Sequence, residues 1–119
     1  MDSYKNDRIY KYPDDAYPNS AGPVTIEIYY TIPKHSKSEF LDIMTLIKKS
    51  RLRNGAQSWS LYQDNGEPET WIQSFACKDW GEFIRLRSRI TSTENELAER
   101  ANALHCERLP RKISLRWHH

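Results

Sequence analysis

The chain has 119 residues, a size for one domain with one core and little room for a second. Apolar residues make up 38% and charged residues 29%, which excludes wholesale disorder, and a net charge of +2 demands no acidic partner. No run of about 18 apolar residues exists, and the opening MDSYKNDRIYKYPDDAYP has no apolar stretch, so neither direct membrane insertion nor a secretory signal is expected.

Residues 1–22 are rich in Tyr, Asp, Asn and Lys, lack periodicity, and read as a flexible N-terminal arm. The folded domain is expected over 23–117. From Val24 the pattern is sharp: Val24, Ile26, Ile28, Tyr30 and Ile32 alternate with Thr25, Glu27, Tyr29 and Thr31. Period two predicts a strand with one buried face, which Pro33 stops. Ser36-Lys37-Ser38-Glu39 matches a capping box. Phe40, Ile43, Met44 and Ile47 follow at helical spacing, with Leu41 and Leu46 widening the stripe. Lys48, Lys49, Arg51 and Arg53 crowd the last turns, where cations suit the helix dipole, and Asn54-Gly55 ends the helix.

Ala56 to Gln63 reads as a second strand and Thr70 to Cys77 as a third, joined by the turn cluster Asp64-Asn65-Gly66-Glu67-Pro68 into an antiparallel hairpin. On the third strand Trp71, Phe75 and Cys77 share one face, and Ile72 and Ala76 the other. Asp79 can cap a helix whose apolar side is Trp80, Phe83, Ile84 and Ile90. Thr91-Ser92-Thr93-Glu94 predicts a new helix start, with Leu97, Ala101 and Leu104 buried. Pro110 breaks the chain, and Ile113, Leu115 and Trp117 alternate with Lys112, Ser114 and Arg116 as a last strand. The order β-α-β-β-α-α-β is the ferredoxin-like split βαβ plan, an α+β fold with a four-stranded antiparallel sheet. The face away from the helices would show Thr25, Glu27, Tyr29 and large aromatics, Trp and Tyr among them. Such a face favours a homodimer packed sheet on sheet.

The stretches PVTIEIYYTIP, SEFLDIM, LRNGAQSWSLYQD, ETWIQSFACKDWGEF and RITSTENELAERANALH resemble a known family over about residues 22–115. It is the soluble C-terminal domain attached to major-facilitator exporters of the enterobactin-exporter type. That domain is similar in turn to the dimeric α/β-barrel group, which includes the antibiotic-biosynthesis monooxygenases. The resemblance implies a dimeric barrel, with a membrane transporter as a possible partner. Two departures are visible. No membrane segment is present, so the chain reads as standing alone. The family commonly shows His-Glu-Arg before a Val-Thr or Ile-Thr pair, where this chain has Arg87-Ser88-Arg89, so any proton transfer or ligand contact that the His serves there is lost.

Candidate chemistry is sparse. His105 is the histidine nearest predicted core positions and could serve as base or ligand contact. His35 reads as solvated, and the terminal His118 and His119 make no metal site alone. Glu94, Glu96 and Glu99 beside Arg100 read as a solvated face with local ion pairs, like Asp14 and Asp15 in the arm. No Gly-rich phosphate loop or nucleophile elbow is present, so no cofactor is expected. Cys77 and Cys106 read as free thiols in a reducing, cytoplasmic setting.

Trp59, Tyr62, Trp71, Phe75, Trp80 and Phe83 could line a cleft between sheet and helices, with Arg85, Arg87, Tyr29 or His105 as polar anchors. Trp59, Trp71, Arg87 and His105 are the ligand-binding candidates. The basic groups Arg85, Arg87, Arg89 and Arg108, Arg111, Lys112, Arg116 invite an RNA reading, but the glycine-aromatic RNA-binding strand signature is absent. The first expectation is thus a non-catalytic homodimer that binds a small apolar or aromatic ligand or a protein partner. The alternative is a cofactor-independent monooxygenase acting on an aromatic or polyketide-like substrate, with Trp59, Trp71 and His105 for shape, stacking and proton transfer. Nucleic-acid binding comes third.

Overall fold

Alternation from Val24 produces the central strand β1 (Val24–Thr31), whose Val24, Ile26, Ile28 and Tyr30 are fully buried under the helices. The structure is a computed structural model that describes residues 22–106 and 112–118. The expectations for the arm up to residue 21, for Arg108, Pro110 and Arg111, and for His119 lie outside the described residues. The remaining elements are α1 (Lys37–Arg53), β2 (Ser58–Gln63), β3 (Thr70–Cys77), α2 (Trp80–Arg89), α3 (Ser92–Leu104) and β4 (Ile113–Trp117).

The four strands form one antiparallel sheet in the order β2-β3-β1-β4. Ile28 stands opposite Gln73 on one side and Ile113 on the other. This order with these connections is the ferredoxin-like plan. All three helices lie against one face. Phe40, Ile43, Met44 and Ile47 of α1, Phe83 and Leu86 of α2, and Ala98 and Ala101 of α3 bury there with the inward residues of the strands. Full burial of each large apolar side chain stabilises the fold by about 1.5–3 kcal/mol, so this single cluster is the main source of stability.

Helix boundaries follow local chemistry. Asp79 caps α2, its carboxylate accepting from the Glu82 N–H at 2.7 Å. Thr91 and Glu94 form a complete capping box at α3. The break between α2 and α3 falls at Ile90, whose extended backbone ends the helix. Between strands, Asp64 accepts from the N–H groups of Gly66 and Glu67 and shapes the hairpin turn.

Three expectations are corrected. Ser36 makes no side-chain cap, and the expected box with Glu39 is absent. A 3-10 turn over Lys34–Ser36 precedes α1, and the Ser36 N–H donates to the Pro33 carbonyl, so it has no need of the Glu39 carboxylate. Leu46 and Ile84 are exposed rather than part of the apolar stripes, and Leu86 takes the buried place on α2. Arg51 lies in the last turn of α1 as expected, and it is buried there at 4% exposure. The outer face of the sheet carries Tyr29 and Tyr62 but no Trp. Trp59, Trp71 and Trp117 pair in register with Phe75, Tyr30 and Val24, which places them on the helix side.

Candidate functional site

The helix side of the sheet contains a polar hub. Gln73 is fully buried, and its side-chain carbonyl accepts from Arg51 Nε at 3.2 Å and from Trp59 Nε1 at 3.0 Å. Its amide donates to the Tyr30 hydroxyl at 3.2 Å. The Arg51 guanidinium also lies 4.5 Å from the centre of the Phe75 ring. The space where a cleft between sheet and helices was expected is therefore filled by this hub and by Phe40, Phe75 and Phe83, which are at most 1% exposed. Tyr62 does not belong to that space, because it projects from the opposite face.

A cleft of about 500 Å³ opens instead at one end of the sheet. Its floor is Ile32 and Trp71. One wall is Lys34 and Lys37 from the turn into α1, and the other is Glu67 and Glu69 from the β2–β3 hairpin. Phe40 supports Trp71 from within, with ring centres 6.0 Å apart. Lys37 Nζ stands 5.8 Å from the centre of the Trp71 ring.

The four candidates do not converge. Trp71 lines the cleft. Trp59 is tied to Gln73, and Lys48 Nζ stands 5.9 Å from its ring centre. Arg87 is half-buried on α2, its guanidinium 5.9 Å from the Phe83 ring centre, and burial lowers its pKa. His105 is buried just past the end of α3, and its Nδ1 accepts the Thr31 backbone N–H at 2.9 Å. Of the other anchors, Arg85 pairs with Glu82, and Tyr29 lies on the outer face with Lys112 Nζ 5.0 Å from its ring centre.

The outer face has its own network. Glu27 is 6% exposed, and its carboxylate accepts from the Tyr62 hydroxyl at 2.9 Å and from Arg116 Nη2 at 3.1 Å. Burial and the neighbouring Glu27 raise the pKa values of Tyr29 and Tyr62. At the helix ends Glu94 is not the solvated carboxylate expected. Burial raises its pKa, but hydrogen bonds from the Thr91 N–H, Arg53, Ser50 and the Thr91 hydroxyl outweigh that and hold it at about 2. Among the described residues no group of three His, Cys, Asp or Glu side chains could hold a metal ion. Cys77 and Cys106 are free thiols, and burial pushes Cys77 up to about 12.

The model of the transmembrane secretion effector family matches residues 3–118. The chain belongs to that family. No curated protein matches this family member in sequence. Among solved structures it is similar to a conserved protein from Methanosarcina mazei Go1, with a TM-score of 0.70 and 13% identity over 81% of this chain and 92% of that one. SnoaB, a cofactor-independent oxygenase from Streptomyces nogalater, gives 0.69 and 16% over 83% and 95%. A Nitrosomonas europaea protein assigned provisionally to the antibiotic biosynthesis monooxygenases gives 0.70 and 13% over 85% and 94%. At these identities the likeness is one of fold. It agrees with the ferredoxin-like plan expected from the sequence. No described helix of this effector-family chain is long and apolar enough to cross a membrane.

The sequence reading missed Arg51 and Gln73. Arg51 continues the stripe of Met44 and Ile47, and Gln73 falls between Trp71 and Phe75 in the strand alternation. Both signals were present in the spacing. The cleft had no such signal, because it joins segments about thirty residues apart.

Proposed function

We propose that this chain is a non-catalytic binding module, a homodimer that holds a small apolar or aromatic ligand or a protein partner such as a membrane transporter. The domain that binds is 23–117, with 1–22 as an arm beside it. The observation that carries the reading is the dispersal of the chemical groups. A general base must stand within hydrogen-bond reach of the proton it removes. His105 has its Nδ1 engaged by the Thr31 N–H and is not among the residues lining the cleft, while Trp71 is. Trp59 is tied to Gln73, and the Arg87 guanidinium stands over Phe83.

The outer face supports the dimer. Tyr29 and Tyr62 give it apolar area, and Glu27 with Arg116 gives it a neutralised polar centre. Antiparallel sheets pack well face to face at about 10 Å separation. The alternative, a cofactor-independent monooxygenase, draws on likeness of fold to SnoaB, and fold alone does not carry activity. Nucleic-acid binding is disfavoured by Glu82, which ties up both Arg85 and Arg89.

Sedimentation velocity together with oxygen uptake in the presence of hydroxylated aromatic compounds tests the reading. The expected result is a dimer at micromolar concentration with no uptake above the buffer rate. Protein-dependent oxygen consumption would replace it with the monooxygenase reading, and a monomer would remove the dimer.

A further inference from the structure

The cleft at the end of the sheet is lined by charges of both signs. Lys34 and Lys37 stand on one wall, and Glu67 and Glu69 on the other. Among the described residues none of the four makes an ion pair, although opposite charges line the same opening. Between them the floor is Trp71 and Ile32, 8% and 1% exposed, so the base of the cleft is apolar and held rigidly by the core. Trp71 is braced from behind by Phe40. A volume of about 500 Å³ lies within the range of small-molecule sites, which pair an apolar lining with a few polar groups that fix orientation.

We propose that this cleft is a binding site for a small aromatic zwitterion, of the class of an aromatic amino acid. The ring would lie against Trp71 and Ile32. The carboxylate would face Lys34 and Lys37, and the ammonium would face Glu67 and Glu69. Each charged group would meet its partners beside a low-dielectric floor, where charge-assisted hydrogen bonds are stronger than in open water. A neutral aromatic molecule would leave both walls without a counter-charge, and a singly charged one would leave one wall so. The assignment rests on the binding-module reading and names its ligand class and its place, which is the end of the sheet and not the helix–sheet interface.

Calorimetry on the full chain with phenylalanine, phenethylamine and 3-phenylpropanoate tests it. These share a ring and differ in charge. Phenylalanine is expected to bind about tenfold or more tightly than either analogue, as loss of one charge-assisted contact predicts. The double variant Lys34→Ala/Lys37→Ala should weaken phenylalanine and 3-phenylpropanoate and spare phenethylamine. Glu67→Gln/Glu69→Gln should weaken phenylalanine and phenethylamine and spare 3-phenylpropanoate. All four positions are exposed, so these variants should keep the fold, which circular dichroism checks; a Trp71 variant removes core packing and is less informative.

Equal affinity for the three compounds, no binding of any of them, or indifference to both double variants would overturn the proposal. Indole serves as the neutral probe that separates the two readings. If indole binds, phenylalanine binds no more tightly than indole, and neither double variant changes the affinity for phenylalanine, the module reading survives and the zwitterion site does not. If neither indole nor phenylalanine binds, the site is overturned and the small-ligand part of the module reading falls with it.

Discussion

The Nδ1 of His105 accepts the backbone N–H of Thr31 at 2.9 Å, and the next residue, Cys106, donates its N–H to the Thr31 carbonyl at 2.8 Å. Among the described residues strand β4 pairs with β1 as far as Ile28, with one more bond from the Tyr29 N–H to the Lys112 carbonyl. Further along β1, Thr31 takes partners for both backbone groups from the segment just past α3. The imidazole accepts its N–H and the Cys106 amide donates to its carbonyl, so a side chain serves Thr31 as a paired strand serves the residues before it.

His105 must therefore keep a lone pair on Nδ1 and carry its proton on Nε2 in this arrangement. Nitrogen-15 NMR should detect the Nε2–H tautomer. His105→Ala would leave a buried backbone donor unsatisfied and should cost about 1–3 kcal/mol in urea denaturation. A variant as stable as the parent would show that the bond contributes nothing.

Glu94 links stability to acid. Its carboxyl is held at about 2 against an ordinary 4.5, so its contribution is complete above pH 4.5 and fades as pH falls toward 2. After discounting for the exposed Arg53 partner, about 1–2 kcal/mol should be lost across that window. Denaturation of Glu94→Gln at a series of pH values should show a flatter acid limb than the parent. Parallel curves would remove Glu94 as the cause.

Gly55 has two reasons to be glycine. Its φ is +127°, and an added Cβ would sit 2.8 Å from Glu82 Oε2 and 3.0 Å from Arg89 Nη1. That carboxylate and guanidinium are bonded to each other at 2.9 Å, and Arg89 also donates to the Asn54 carbonyl. Gly55→Ala should therefore strain the turn and push the pair apart. A loss above about 1 kcal/mol is expected in the denaturation midpoint, where an unstrained site would gain stability.

Cys77 should be inert in the native protein. Its thiol is fully buried opposite Val24 and pushed up to about 12, so almost no thiolate exists at neutral pH. Labelling of Cys77 by a disulfide reagent at pH 8, followed by peptide mapping, should proceed only as fast as the chain unfolds. Rapid labelling under native conditions would contradict this burial.

Much of the fold was legible because period two and period 3.6 are imposed by burial of one face. Val24 to Thr31 and Phe40 to Ile47 show them cleanly. The complete cap at Thr91 and Glu94 was equally readable, since both partners lie within one turn. The cap at Ser36 was misread because the 3-10 turn used its N–H first, an outcome set by Pro33 and the path out of β1. Arg51 was legible as a last-turn cation, but its burial was not, because its partners Gln73 and Phe75 come from another element. The cleft depends on the hairpin end meeting the turn into α1, and no local pattern records that meeting. Trp71 was recognised as a candidate by its chemistry, but its neighbours were not.

The Gln73 hub has a consequence for how the sheet aligns itself. Gln73 stands between Ile28 and Leu61 in the pairing of β1, β3 and β2. A slip of β3 by one residue would turn Gln73 to the outer face and bring Ile72 or Ser74 beneath Arg51. The guanidinium, the Trp59 indole and the Tyr30 hydroxyl would then lose a shared partner at once. The same slip would carry Trp71, Phe75 and Cys77 outward, so the apolar face opposes it too, and the loss of the amide's partners adds to that penalty. The buried amide thus works as a key cut for one alignment of the strands, rejecting mispaired sheets during folding even where it adds little to the depth of the native well.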